Sequence, residues 1–278
     1  MKFTPKEIQG NVNISTTHPL KEFFILLFGI LGALLVIYLI LGLVLDILVD
    51  RMPLGLENKL GILFKQRFES SKSLTPAEKE MQRIIDDFLP YMPATKYQFR
   101  VYIINQDKVS NAVAVPGGLI LVYSGLFKDI QTENELAMIL AHELGHFAHR
   151  DHLRGLGRGL VLAAISIVTF GADSAITQFL MDILITTDLR FSRKQEAAAD
   201  KFALELLNKK YGHVAGATDY FEHIKDKKTL PRFFKFFSTH PLYPERITML
   251  NEEIKNKCYQ IKEKIPLNPI FKTGDVSH

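Results

Sequence analysis

The sequence predicts an α+β protein in which a mainly helical domain with a small β-sheet follows one transmembrane helix. The membrane helix is indicated by an apolar run from 23 to 45 that contains no charged residue. As a helix this run would be about 34 Å long, enough to cross a hydrocarbon core of about 30 Å. Capping-box patterns mark the starts of later helices, and alternating β-branched and aromatic residues between them predict the strands.

A cleaved signal peptide is the alternative interpretation of the apolar run. Such a peptide has a shorter apolar stretch and a small-residue cleavage site, whereas this run is long and passes directly into Asp46, Asp50 and Arg51. We therefore expect a retained transmembrane helix. The positive-inside rule does not decide its orientation, because basic residues lie on both sides of the run.

The remaining elements follow from local start signals and periodicity. Three helices begin at capping boxes, and strands flank a break at Pro116, Gly117 and Gly118. Helices are predicted at 75–88, 132–149, 192–207, 213–224 and 244–262, and strands at 97–105 and 111–123. The predicted organisation is an N-terminal segment (1–22), the transmembrane helix (23–48), a connector (49–73), the main domain (74–264) and a flexible tail (265–278).

A second uncharged run, Gly159 to Ala172, has 14 residues. That length is typical of a buried core helix or of an interfacial segment, and it is short for a full membrane span. We therefore favour a buried or membrane-grazing helix here, with a second hairpin through the bilayer as the alternative.

Composition excludes some classes of function. The 34 basic and 30 acidic residues give a formal net charge of +4, so no concentrated basic stripe indicates a nucleic acid partner. The single cysteine, Cys258, has no second thiol for an internal disulfide or for a sulfur-rich metal site. The absence of disulfides is compatible with either side of a membrane.

The sequence His142-Glu143-Leu144-Gly145-His146 lies on the second capped helix and can bind one metal ion. His142 and His146 are four residues apart, so both imidazoles project from the same helix face. Zinc bound there would lower the pKa of a water molecule towards 7, and Glu143 is placed to take its proton. The alternative is a core helix without metal, but buried polar groups on so apolar a helix require partners.

A catalytic zinc site needs a third protein ligand and one open position. Glu196 is the best candidate, because it lies in the first turn of the helix capped by Ser192. Asp200 is one turn further on and can hold the far nitrogen of a ligand imidazole. His149 and His152 are rival third ligands, but both follow the motif closely in sequence.

The motif pair resembles metallopeptidase family 48, the gluzincins, which include HtpX-type membrane proteases, BepA-type periplasmic proteases and CAAX prenyl proteases. The similarity rests on HELGH at 142–146, EAAAD at 196–200, NAVAVPGG at 111–118, SGL at 124–126, STHP at 238–241 and ERI at 245–247. It implies a zincin-like domain with one Zn²⁺ per chain, held by His142, His146 and Glu196, and Glu143 as the general base.

The resemblance also implies a substrate cleft. It assigns a substrate-side strand that includes Asn111, Gly117 and Gly118, with Arg246 also lining the cleft. By the same resemblance His240 either stabilises the developing oxyanion or gates access to the metal.

These features favour a broad endopeptidase. The strands leading into the metal helix have an edge with which an extended peptide can pair, and main-chain pairing accepts many sequences. We expect a protein of a bacterial-type inner membrane that cleaves misfolded or unassembled membrane and envelope proteins, with the active site on the non-cytoplasmic face. The alternative is a zinc-bound, chaperone-like protein that holds clients with little or no proteolysis. The oligomeric state is not indicated.

Overall fold

A computed structural model of the protein describes residues 19–51, 57, 61, 74–95, 97–171, 174–179, 191–225, 239–240 and 244–272. Its helices are α1 (Pro19–Arg51), α2 (Pro76–Phe88), α3 (Glu133–Ala148), α4 (Asp151–Phe170), α5 (Arg193–Tyr211), α6 (Asp219–Ile224) and α7 (Pro244–Asn256). Its strands are β1 (Arg100–Ile104), β2 (Ala112–Val115) and β3 (Leu119–Tyr123). The described elements confirm an α+β fold with a small sheet, and the finer zincin-like assignment stays a prediction.

Helix α1 contains the predicted membrane segment. Among the described residues it is the one helix that is long and apolar enough to cross a membrane, with a mean hydropathy of 2.4 in the window Pro19–Ile37. None of this window is buried. The chain divides into two compact units, Met1–Val44 and Leu45–His278, so α1 begins in the first unit and ends in the second.

The capped helices begin where the sequence predicts. The Thr75 hydroxyl accepts from the backbone N–H of Glu78, and the Glu78 carboxylate accepts from the backbone N–H of Thr75. Ser192 and Gln195 form the same reciprocal pair at the start of α5. Helix α3 begins after Thr132, whose hydroxyl accepts from a backbone N–H of the first turn. Each cap satisfies donors that a helix start leaves unpaired.

The sheet has the order β1-β3-β2, with β1 parallel and β2 antiparallel to β3. All five residues of β3 are buried. The turn between β2 and β3 contains Gly117 and Gly118 with φ values of 88° and 80°, a conformation that favours glycine. The sequence predicts strands within 111–123 that have an edge open to a peptide, but β3 is central in the sheet. Of these two strands, β2 is therefore the one at an edge of the described sheet.

Helices α3 and α5 pack closely because small residues face each other. A Cβ atom built on Gly145 would lie 2.9 Å from the Cα atom of Ala199, closer than real Cβ contacts. Both positions belong to predicted motifs, and Ala199 is fully buried. The contact therefore brings the backbone of the His142 helix against the backbone of the Glu196 helix.

The C-terminal elements differ from the sequence prediction. Helix α7 ends at Asn256 rather than near 262, since Cys258 adopts a positive φ of 53°. Residues 213–218 form turns before α6, with Gly216 at φ 86° against Asn134. The first part of the predicted tail packs on the core: Phe271 is buried and its ring stacks on Phe127 with centroids 5.0 Å apart. Residues 273–278 lie outside the described part, and the domain boundaries stay predictions.

The uncharged run from 159 onward lies mainly within α4. Phe170, at the end of this helix, is exposed. Residue 172 and the segment 180–190 lie outside the described residues, so the choice between a buried, an interfacial and a spanning segment stays open.

Replacing Gly145 with Ala should destabilise the domain, because the new methyl group overlaps the Ala199 backbone. Overpacking of this kind costs about 2 kcal/mol, equivalent to a fall in Tm of about 4–8 °C for a domain of this size. The measurement is thermal unfolding of the detergent-solubilised protein after EDTA treatment. Lys201→Ala, on the exposed side of α5, is the control and should change Tm little. An unchanged Tm in Gly145→Ala would show that the helices separate freely.

Candidate metal centre

The closely packed helices bring three predicted ligands together. His142 and His146 lie one turn apart on α3, and Glu196 lies in the first turn of α5. The Nε2 atoms of the two histidines are 3.1 Å apart. Glu196 carboxylate oxygens lie 3.5 Å from His142 Nε2 and 3.6 Å from His146 Nε2. All three residues are buried.

These distances fit the shape of a zinc site. Ligands about 2.0–2.1 Å from a tetrahedral zinc ion are about 3.3 Å from one another, close to the separations of the three donor pairs. His142, His146, Glu196 and His240 form a group whose ligand atoms all lie within 4.8 Å of one another. The donor set of imidazoles and a carboxylate is one that zinc accepts.

The carboxylates behind the imidazoles give a stronger argument for a cation. His142 Nδ1 lies 2.9 Å from Asp200 Oδ1, and His146 Nδ1 lies 3.1 Å from Asp151 Oδ2. A carboxylate beside each Nδ1 favours the tautomer with the proton on Nδ1, in which each Nε2 directs a lone pair towards the other ring. Burial lowers the pKa of His146, which disfavours an extra proton between the rings. A metal ion between the rings would satisfy both lone pairs.

Arg246 neutralises the acidic side of the cluster. Its guanidinium donates two hydrogen bonds to the Asp200 carboxylate, at 2.9 and 2.8 Å, and its Nη1 lies 2.6 Å from Glu196 Oε2. Burial alone would raise the pKa of Glu196, but Arg246 and His240 hold it well below its usual range. Glu196 is thus ionised and able to bind a cation. Arg246 also borders the pocket beside Glu143, and its role in substrate binding stays a prediction.

His240 lies within the donor cluster. Its Nδ1 is 3.0 Å from Glu196 Oε1 and 3.4 Å from His142 Nε2, and its Nε2 is 3.6 Å from Glu143 Oε1. His240 is 1% exposed, so it offers a fourth buried donor. A site with four protein donors has no open position, whereas a catalytic site needs one. Residues 238 and 241 of the predicted His-Pro signature lie outside the described residues.

Asn111 lies next to the donor cluster and is not one of its members. Its side-chain amide donates to the Thr239 hydroxyl at 3.3 Å, and Thr239 precedes His240. Asn111 also immediately precedes β2, so this hydrogen bond connects the edge strand to the His240 segment. The carbonyl oxygen of its side chain is buried and makes no hydrogen bond among the described residues.

The structure does not bring Gly117 and Gly118 to the cluster. They form the turn at the other end of β2 from Asn111, where Gly117 contacts Gly61 and Gly118 contacts the carbonyl of Gln98. Their predicted role in substrate binding has no support from this position. These glycines are required by the close backbone contacts and the positive φ angles of the turn.

The rival ligands are also outside the cluster. His149 is the C-cap residue of α3, and His152 pairs with Glu57 at 2.7 Å. Asp151, in contrast, was missed by the sequence analysis although it contacts His146. A requirement of the site could have predicted it. Asp200 can accept a hydrogen bond from only one of the two imidazoles, so the other needs a second carboxylate.

Comparison with known proteins agrees with this geometry. The model of peptidase family M48 matches residues 76–254, which include every residue of the donor cluster and most of the chain. The chain belongs to peptidase family M48. It is therefore a metalloendopeptidase, which confirms the enzyme class predicted from the sequence, and family membership together with the donor cluster implies a divalent metal ion.

Curated relatives carry protease names. Metalloprotease LoiP of Escherichia coli is 27% identical over 198 residues, which cover 68% of this chain and 77% of LoiP. Mitochondrial metalloendopeptidase OMA1 of Arabidopsis thaliana is 33% identical over 39% of this chain and 22% of its own length. The beta-barrel assembly-enhancing protease of Yersinia pestis is 24% identical over 59% of this chain and 35% of its own. The chain thus spans only a minor part of the last two relatives.

Asp151→Asn should weaken metal binding, because the neutral amide no longer fixes a protonated His146 Nδ1 with a full charge. Loss of such an outer partner lowers metal affinity about 10–100-fold. The measurement is competition for zinc with a chromophoric chelator. Asp87→Asn, on the exposed face of α2, is the matched control and should bind zinc as the wild type does. Equal affinities for the two variants would contradict the assigned role of Asp151.

Proposed function

We propose that the protein is a membrane-anchored, zinc-dependent endopeptidase that cleaves misfolded or unassembled membrane and envelope proteins. The observation that carries the proposal is the buried cluster of His142, His146 and Glu196 with Glu143 beside it. Membership of family M48 and the donor set both favour zinc, one ion per chain. The apolar helix α1 supports the membrane anchor.

The cleavage mechanism assigns separate tasks to these side chains. His142, His146 and Glu196 would hold the zinc ion, which when bound polarises a peptide carbonyl and makes a water molecule more acidic. Glu143 would accept the proton of that water. It is 1% exposed, and its Oε2 makes no hydrogen bond among the described residues, so this oxygen is available as a proton acceptor. Proton transfer by such a positioned carboxylate is general base catalysis.

The edge strand β2 supports a broad choice of substrate. Its first residue, Ala112, borders the same pocket as Glu143, so a peptide paired with β2 would pass the general base. The pocket is small and mostly apolar, with Leu126, Met138 and Phe221 in its wall. Main-chain pairing holds an extended peptide of almost any sequence, while the pocket accepts one apolar side chain.

The cellular place of the activity follows from the anchor and the relatives. We infer a bacterial-type inner membrane with the peptidase domain on the non-cytoplasmic face, and the candidate span in α1 supports the membrane placement. One relative is named for enhancing β-barrel assembly, which supports envelope proteins as substrates.

Glu143→Gln tests the mechanism, because glutamine keeps the shape of the side chain and cannot accept the proton. We expect one zinc per chain, as in the wild type, and a fall in casein cleavage of about 10²-fold or more. Zinc content is measured by elemental analysis and cleavage by peptide release. Glu222→Gln, which alters an exposed carboxylate on α6, should cleave normally. Cleavage by Glu143→Gln at the wild-type rate would refute the mechanism, and zinc-loaded wild type that binds casein without cleaving it would favour the client-holding alternative.

His240→Ala distinguishes the two roles that the resemblance implies for His240. Because Nδ1 of His240 lies against Glu196 and His142, where it fills the position that a catalytic site leaves open, we expect a gate: zinc stays bound and kcat for casein rises several-fold. Loss of an oxyanion donor would instead lower kcat about 10²–10³-fold with zinc retained. Steady-state kinetics on zinc-saturated protein decides between them.

A further inference from the structure

A second buried polar cluster lies behind the metal helix, and the mechanism above does not use it. Its centre is Glu57, a residue of the predicted connector whose side chain is fully buried. The Tyr97 hydroxyl donates to Glu57 Oε2 at 2.6 Å, and His152 Nε2 lies 2.7 Å from Glu57 Oε1. Arg150 Nη2 is 3.7 Å from the same carboxylate. Burying a carboxylate costs desolvation free energy, which is offset only when its partners are held in a defined geometry.

The cluster reaches a metal ligand through the backbone. The last carbonyl groups of a helix have no partner within it. In α3 the carbonyl of Gly145 accepts from the N–H of His149, and that of Phe147 accepts from the N–H of Arg150. The carbonyl of His146 lies 3.2 Å from Nδ1 of His152. Both ring nitrogens of His152 therefore face acceptors, one on Glu57 and one on the backbone of His146.

The first turn of α4 thus contacts His146 at two points, its side chain and its backbone. Asp151 contacts its imidazole Nδ1, and His152 contacts its backbone carbonyl. Arg150, with a left-handed φ of 59°, makes the sharp turn that brings α4 back against α3. The rings of Tyr97 and Phe147 surround the His152 imidazole, at centroid distances of 6.2 and 4.4 Å, and exclude water from it. Glu57 is the acceptor that fixes the other side of this ring.

Arg150 extends the cluster to the end of the apolar helix. Its guanidinium donates to the backbone carbonyl of Val49, in the last turn of α1. Val49 and Glu57 lie on either side of residues 52–56, which the structure does not describe. The contacts therefore connect the chain that follows the apolar helix with the turn that holds His146.

We propose that Glu57 is a positioning residue for the metal centre: through His152 it fixes the backbone of His146, and it connects the membrane-proximal chain to the metal helix. The inference rests on the proposed function, because it takes His146 as a metal ligand. Glu57 contacts neither substrate nor metal. Its loss should loosen the first turn of α4 and so reduce the fraction of protein in which His146 is correctly placed.

The test measures zinc affinity of the full-length protein in detergent by chelator competition, below the Tm of the metal-free form. We expect Glu57→Ala to weaken zinc binding about tenfold, as other outer contacts of metal ligands do. Glu57→Gln keeps an acceptor for His152 and should recover part of the affinity. The matched control is Glu78→Ala, which removes another buried carboxylate that accepts from the backbone N–H groups of Thr75 and Ile103. It should lower Tm but leave zinc affinity unchanged.

Each outcome is decisive. Unchanged zinc affinity in folded Glu57→Ala, or an equal loss in Glu78→Ala, would overturn the proposal in favour of a purely structural role. If Glu57→Ala does not fold, Tyr97→Phe removes one hydrogen bond from the carboxylate and should weaken zinc binding a few-fold, with unchanged affinity overturning the proposal. His146→Ala distinguishes a failure of the Glu57 proposal from a failure of the proposed function. If zinc binds normally without His146, the proposed metal centre itself is wrong.

Discussion

The contact between Gly145 and Ala199 determines how closely the two helices that carry the predicted metal ligands approach each other. Glycine in a helix interior is unfavourable by roughly 0.5–1 kcal/mol relative to alanine, so its place in α3 needs a structural reason. A methyl group there would meet the Ala199 backbone, and α3 and α5 would separate. Because Gly145 precedes His146 and Ala199 precedes Asp200, any separation would act directly on the predicted ligand His146 and on Asp200, the carboxylate beside His142.

Close packing of this kind concentrates acidic groups inside the domain. Glu143, Glu196, Asp151 and Asp200 are all at most 2% exposed, and Arg246 is the guanidinium that faces Glu196 and Asp200. Buried charges are tolerated only when they are paired. A divalent cation between the histidines and Glu196 would bring the described cluster closer to neutrality. The electrostatic balance of the core and the chemistry of the site therefore require the same ion.

Capping signals in the sequence were sufficient to predict where the helices begin and which turns of α5 carry Glu196 and Asp200. The Ser192 box places Glu196 in the first turn of α5 and Asp200 one turn later, and the structure has both on the side that faces α3. Asp151 was not predicted because its position depends on the left-handed conformation of Arg150, which a non-glycine residue rarely adopts. Glu57 was not predicted because its partners are 40 and 95 residues away in sequence. His240 needed the family resemblance, since a lone histidine in a loop carries no periodic signal.

Pairing with the edge strand β2 would require a substrate whose backbone is not already hydrogen-bonded. In a strand, neighbouring side chains point to opposite faces, so a peptide paired with β2 would direct alternate side chains towards the pocket beside Glu143. Pairing requires several consecutive residues with free backbone N–H and C=O groups. In a folded protein such groups are already paired within its own secondary structure, whereas an unfolded or unassembled chain exposes them. Under the proposed function, a site of this design would therefore select substrates by their lack of structure more than by their sequence, and the small apolar pocket would add only a preference for one side chain.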